Sequence, residues 1–152
     1  MSQSSLQAMR LLLKMAQHDL DLAAERLAKA HRTTNEAKQQ KEQLLFYKQE
    51  YVLQNAVRMS QGMTVVDLQN FQSFLKNIDT AIQSQDRAIE QYHAISHQQM
   101  LHWQASQAKK RKYEILIEKN EKQARLLALK QDQKLMDEFS TTQFLLAPQP
   151  FH

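Results

Sequence analysis

Apolar residues recur along this chain at alternating steps of three and four. From residue 6 the steps give Leu6, Met9, Leu13, Ala16, Leu20, Ala23, Leu27, Ala30, Thr34, Ala37, Lys41 and Leu44, and ten of these twelve are apolar. Polar and charged residues fill most of the places between. A 3.5-residue repeat sustained over more than four heptads marks the seam of a coiled coil, which is narrower than the apolar face of an ordinary surface helix. A second series begins at Leu68 and runs through Phe71, Leu75, Ile78, Ile82, Gln85, Ile89, Tyr92, Ser96, Gln99 and Trp103, then Tyr113, Ile117, Ala124 and Leu127. The first series carries alanine at 16, 23, 30 and 37, whereas the second is mostly bulky. Small side chains facing large ones allow two helices to interdigitate at interior density.

Between the two series lies Ser60-Gln61-Gly62-Met63-Thr64. Gly62 is the one glycine of the chain and can take the positive φ that ends a helix. Thr64 with Asp67 three residues later has the form of a helix N-cap with its capping box. So short a link returns the chain antiparallel to itself. The pattern therefore predicts an all-α fold: a single domain, 1–152, of two long helices in an antiparallel coiled-coil hairpin. Its helices span about 4–60 and about 64–140, the turn about 61–63, and the tail 141–152 is expected to be disordered.

Folding back about residue 62 pairs residues whose numbers sum to roughly 124. That places Leu20 near Trp103, Ala30 near Tyr92 or Ala94, and Leu6 near Ile117. At ~1.5 Å per residue the helices are about 85 and 115 Å long, so the second overhangs the first by about twenty residues. Leu126, Leu127, Leu129, Leu135, Met136 and Phe139 fall in that overhang. Thr34, Lys41, Ser96, Gln99, Ser106 and Lys110 sit at or beside the seam, and each gives up roughly 1.5–3 kcal/mol of apolar burial. The hairpin's middle is expected to be weak and flexible. After Ala37 the best apolar line passes through Lys41, Leu45, Val52, Ala56 and Met59. A seam rotated in this way would turn Leu44, Tyr47 and Tyr51 outward.

Composition narrows the chemistry. There is no cysteine, and the two prolines, Pro148 and Pro150, lie at the end. Disulfides, thiolate metal sites and cysteine nucleophiles are excluded. The first ten residues lack the basic and apolar blocks of a secretory signal, and no stretch is apolar enough to span a bilayer, so a soluble, cytoplasmic protein is expected. The net charge of +4 comes from interspersed charges of both signs. Lys109-Lys110-Arg111-Lys112 is the only dense basic run, and Glu114, Glu118 and Glu121 follow it. It is expected to be a solvated helical face with no nucleic-acid partner. His93 and His97 lie four apart, with His31 near His93 in the fold-back register, but no carboxylate completes a metal set. No Gly-rich phosphate loop or nucleophile elbow is present, and a two-helix rod offers no dry cleft. No enzyme activity, cofactor or metal is expected.

Two groups exceed what a seam requires. Leu44, Tyr47 and Tyr51 face Phe74, Ile78 and Ala81 across the fold-back. Pattern alone leaves two readings open, a thickened core near the turn or an exposed aromatic ridge for a protein partner. The segment Gln131 to Phe139, with spaced apolar residues beyond the reach of the first helix, suits a docking role.

The stretch LLFYKQEYVLQNAVRMSQGMT, Leu44 to Thr64, and the segment DQKLMDEF, Asp132 to Phe139, resemble the FliJ family. That family is the soluble component of the flagellar type III export apparatus. The resemblance covers nearly the whole chain, and its most specific elements are the paired tyrosines, the MS-x-G-x-T turn and the DQK-x-MDEF segment. It implies a hairpin similar to the central stalk of rotary ATPases, in a cytoplasmic protein peripherally associated with the inner-membrane apparatus, without direct membrane insertion. The implied partners are the hexameric export ATPase, the cytoplasmic domain of the export-gate membrane protein, and filament-type export chaperones. The family's gate-binding surface falls on Gln40, Leu44, Tyr47, Tyr51, Phe74, Ile78, Ala81 and Gln85, the last standing where the family pattern has histidine. The ATPase-ring surface falls on Leu6, Met9, Leu13, Leu127, Leu135, Met136 and Phe139. Thr141 to His152 does not match the pattern. A substrate-side export chaperone, or the equivalent stalk of a virulence secretion system, are the alternative readings.

Overall fold

Two helices account for the secondary structure of the computed structural model, which describes residues 3–146. Helix α1 spans Gln3–Gln61 and α2 spans Val65–Leu146, and no strand occurs among the described residues. The pair packs as a helical hairpin, as the double heptad series predicts. Gly62 ends α1 with φ of 96°, and a Cβ there would meet no atom within 4 Å, so backbone conformation alone selects glycine. The amide of Asp67 donates to the Thr64 hydroxyl at 3.1 Å, which makes Thr64 the N-cap of α2. α2 does not stop at residue 140. The hydroxyls of Thr141 and Thr142 donate to the carbonyls of Asp137 and Glu138, and the helix continues to Leu146, two residues before the first proline. The remainder of the expected tail lies outside the described residues.

The chain forms two compact units, Met1–His18 with Gln107–His152, and Asp19–Ser106. In the Asp19–Ser106 unit, small residues of α1 and large residues of α2 share the interior. Ala23, Thr34 and Ala37 are buried on one side, and Phe71, Ile78 and Ser96 on the other. Every first-series position from Leu20 to Leu44 is buried or half-buried, the polar ones included. Those polar positions are paired across the seam. The Thr34 and Ser96 hydroxyls lie 3.1 Å apart, Lys41 meets Asp86 at 2.7 Å, and Lys48 meets Asp79 at 2.6 Å. No buried side-chain polar atom among the described residues lacks a partner. The middle of the seam exchanges apolar burial for hydrogen bonds, each worth about 0.5–1.5 kcal/mol net.

The seam does not rotate after Ala37. It keeps the same step through Lys41, Leu44, Lys48, Tyr51 and Asn55, all buried or half-buried, while Leu45, Val52, Ala56 and Met59 are exposed. Pairing decides the matter, because Lys48 and Asn55 are satisfied by Asp79 and by the Tyr51 carbonyl, and Tyr51 finds aromatic neighbours on α2. Leu44 and Tyr51 therefore belong to the seam; only Tyr47 of that trio is exposed. The fold-back register also departs from its simple form. Thr34 meets Ser96 rather than Glu90, so His31 falls level with residues beyond His93, and both histidines are exposed. Part of the offset comes from the turn, whose midpoint is Met63 rather than Gly62.

In the other unit, Ala16 of α1 and Ile117 of α2 are buried, with Leu6, Met9, Leu13 and Tyr113 half-buried around them. Arg10 pairs with Glu121 at 3.0 Å, and the Asn120 amide donates to the Met9 sulfur at 3.1 Å. From Lys122 to Leu146 every residue is exposed. Ala124 and Leu127, placed at the seam by the sequence pattern, are among them: the half-buried positions of α2 end at Glu121, which pairs with Arg10.

Candidate protein-interaction surfaces

The Asp19–Ser106 unit brings three rings together near the turn. Tyr51 lies 3.8 Å from Phe74 and 5.7 Å from Phe71 between centroids, and Tyr47 lies 5.8 Å from Phe74. Phe71 and Ile78 are buried, Tyr51, Phe74 and Leu44 half-buried, and Tyr47 is 59 % exposed. Offset aromatic contacts of this kind add roughly 0.5–1.5 kcal/mol to burial. The cluster is thus core on its inner edge and surface on its outer edge. The thickened core holds for Phe71 and Ile78, while Tyr47 is exposed.

Of the eight residues of the expected gate surface, Tyr47 and Tyr51 meet Phe74, and Gln85 meets Gln40. Gln85 reaches from α2 to donate through one amide nitrogen to the Ala37 carbonyl at 2.9 Å and to the Gln40 side chain at 3.0 Å. Gln40 and Ala81 are exposed beside it. The geometry gives Gln85 a structural part at the rim. Ile78, with 7 % of its surface exposed, has little left to offer a partner. Phe46, Leu53 and Val57 were not singled out from the sequence, yet each is about 60 % exposed on α1. Their spacing of seven and four was visible as a stripe, masked by the stronger seam beside it.

The expected ATPase-ring residues divide into two sets. Leu6, Met9 and Leu13 are half-shielded by α2. Leu127, Leu135, Met136 and Phe139 are bare, each at least 61 % exposed. Along α2 the seam direction continues past Glu121 as Ala124, Ala128, Leu135, Phe139 and Leu146, all of them exposed. A helix with apolar residues on an unpartnered face is the form that docks into another protein's groove.

Catalytic alternatives find little footing. No group of three potential metal ligands occurs among the described residues. A groove lined by Arg26, Lys29, Ala30, Thr33, Tyr92, Ile95 and Gln99 is open to solvent and carries no carboxylate or nucleophile pair. In the basic run, Lys110 and Arg111 pair with Glu114, and Arg111 also with Glu118, at 3.4–3.8 Å. No helix of the described residues is long and apolar enough to cross a membrane.

Comparison with known proteins adds identity to this geometry. A family model described as Flagellar FliJ protein matches residues 5–149. The flagellar FliJ protein of Escherichia coli strain K12 is 25 % identical over 142 residues, covering 93 % of this chain and 97 % of that protein. The flagellar FliJ protein of Salmonella typhi is 24 % identical over 142 residues, with the same coverage. The resemblance drawn from the paired tyrosines, the glycine turn and the DQK-x-MDEF segment agrees with these matches.

Proposed function

The chain belongs to the FliJ family of flagellar proteins, and on that premise we propose that it is a non-enzymatic adaptor of the flagellar protein-export apparatus. One surface, the bare stretch of α2 with Leu127, Leu135, Met136 and Phe139, docks into the ring of the export ATPase, promotes its assembly and activity, and leaves Leu6, Met9 and Leu13 to hold the adjoining hairpin together. The other surface, centred on Tyr47 with the outer edges of Tyr51 and Phe74, meets the cytoplasmic domain of the export gate. Gln40, Leu44, Ile78, Ala81 and Gln85 shape and support that surface. Recycling of escort chaperones belongs to the same role. The protein acts in the cytoplasm, at the periphery of the inner-membrane apparatus.

The observation that carries this reading is the separation of apolar surface between two units. Residues 122–146 are exposed throughout, and the aromatic cluster lies within 19–106. A single binding site would not require both. The test is a pull-down with purified export ATPase and a hydrolysis assay, using the full chain and a form lacking residues 127–152. ATPase binding is expected to go with residues 127–152 while gate binding survives, and Tyr47→Ala is expected to do the reverse. Loss of both activities by either change, with helical content otherwise intact, contradicts two separate surfaces. A substrate-side chaperone is the second reading. The bare helix favours it, and it requires cargo capture in the absence of the ATPase.

A further inference from the structure

The α2 segment from Lys109 to Lys134 carries nine basic residues and four acidic ones, and six of the basic ones are set apart from the acids. At about 100° per residue, Glu114, Glu118, Glu121 and Asp132 fall on one side of the helix, next to the seam. Three of them are engaged there, Glu114 with Lys110 and Arg111, Glu118 with Arg111, and Glu121 with Arg10. The opposite sector, about 140° wide, holds Lys109, Lys112, Lys119, Lys122, Lys130 and Lys134 and no acidic residue. All six lysines are exposed, and among the described residues none makes an ion pair. They mark a line roughly 37 Å long on one helix. Exposed Ile115 and Leu126 stand between them.

We propose that this lysine stripe adsorbs the protein to an anionic lipid surface, with the helix lying along the headgroups and no segment crossing the bilayer. Like charges gathered on one face repel one another, and they are tolerated where an opposing charge is to be met. The stripe is built of lysine, a hydrated point charge suited to a diffuse surface potential, and the arginine at its edge, Arg111, is held by Glu114 and Glu118. Nor does the sector hold an aromatic ring on which a nucleic-acid base would stack. Apolar side chains set among lysines match the headgroup boundary instead. The inference uses only the charge layout and the exposure of α2, and it stands independently of the adaptor reading.

Vesicle co-sedimentation of the full-length protein tests it. Phosphatidylcholine vesicles with and without about 30 mol% phosphatidylglycerol are compared at low and at physiological salt. Binding is expected only with the anionic lipid, and it should weaken as salt shortens the Debye length from ~30 Å toward ~8 Å. Each lysine near such a surface contributes about fivefold in partitioning. Replacing Lys112, Lys119, Lys130 and Lys134 by glutamine should therefore reduce binding by at least about a hundredfold. These side chains are exposed, so circular dichroism should be unchanged. A control with Lys14, Lys29, Lys38 and Lys76 replaced by glutamine removes the same charge elsewhere and should bind nearly as the parent does. Equal loss in the control, retained binding in the stripe variant, binding to uncharged vesicles, or tighter stripe-dependent binding to duplex DNA or polyglutamate than to the anionic vesicles would each overturn the assignment.

Discussion

Tyr47 and Tyr51 are one helical turn apart, and their truncation should have opposite signatures. Tyr51 is half-buried between Phe74 at 3.8 Å and Phe71 at 5.7 Å. Truncating a fully buried large aromatic costs about 3–5 kcal/mol. Half burial reduces that to roughly 2 kcal/mol, and two lost ring contacts add about 1 kcal/mol. Tyr51→Ala is thus expected to destabilise by about 2–3 kcal/mol, a fall in Tm of about 5–10 °C for a chain of this size. Tyr47 is 59 % exposed and touches one ring edge at 5.8 Å, so Tyr47→Ala should cost under about 1 kcal/mol. Thermal melts followed by circular dichroism at matched concentration, together with binding to the gate domain, separate the two. Tyr47→Ala should lose binding at nearly parental Tm; Tyr51→Ala should lose both. Equal melting temperatures for the two variants would refute the assignment of Tyr51 to the seam.

The Thr34–Ser96 pair gives an asymmetric expectation. Ser96→Ala leaves the Thr34 hydroxyl still donating to the Ala30 carbonyl at 2.9 Å, whereas Thr34→Val strands the buried Ser96 hydroxyl. Denaturant unfolding should show about 0.5 kcal/mol for the first and about 1–3 kcal/mol for the second, with the double variant T34V/S96A recovering most of the loss. Gly62→Ala should cost about 1–2 kcal/mol, since φ of 96° is strained for any L side chain although space is free; equal thermal stability would place the strain elsewhere. Deleting residues 127–152 should lower total helical ellipticity yet leave the melting of the 19–106 unit within about 1 °C, because the described part of the deleted stretch is exposed throughout.

Much of this fold was legible in advance, and particular residues show why. A seam is a periodic signal, so Leu6 to Leu44 and Phe71 to Trp103 could be placed on it by counting, and the single glycine fixed the turn. Counting failed where polar side chains hold the seam. Hydropathy prefers Leu45, Val52, Ala56 and Met59 to Lys48 and Asn55, but an ion pair to Asp79 and a bond to the Tyr51 carbonyl are invisible to it. The aromatic cluster was found by composition, yet its division into buried Phe71, half-buried Tyr51 and open Tyr47 depends on register, which drifts from the simple fold-back count. α2 runs past the expected end at about 140 to Leu146, and the hydroxyls of Thr141 and Thr142 each satisfy a carbonyl one turn back.

A pair of helices has one narrow seam, and no large side chain among the described residues is completely enclosed. Core and surface are therefore opposite edges of the same residues, as Tyr51 and Phe74 illustrate. Stability and recognition cannot be assigned to separate layers in such a molecule; they divide around the circumference of each helix. On α1 near the turn the division runs between Tyr51 and Tyr47, and on α2 beyond Tyr113 it runs between the acidic edge, tied to Arg10, Lys110 and Arg111, and the lysines behind it. The expected consequence is that a substitution at the seam changes folding and binding together, while one beside it on the exposed edge changes binding alone. Past Glu121 that constraint ends. Leu135, Phe139 and Leu146 are each at least 62 % exposed, so their apolar character stabilises the hairpin little, and under the proposed function it serves docking to the ATPase ring.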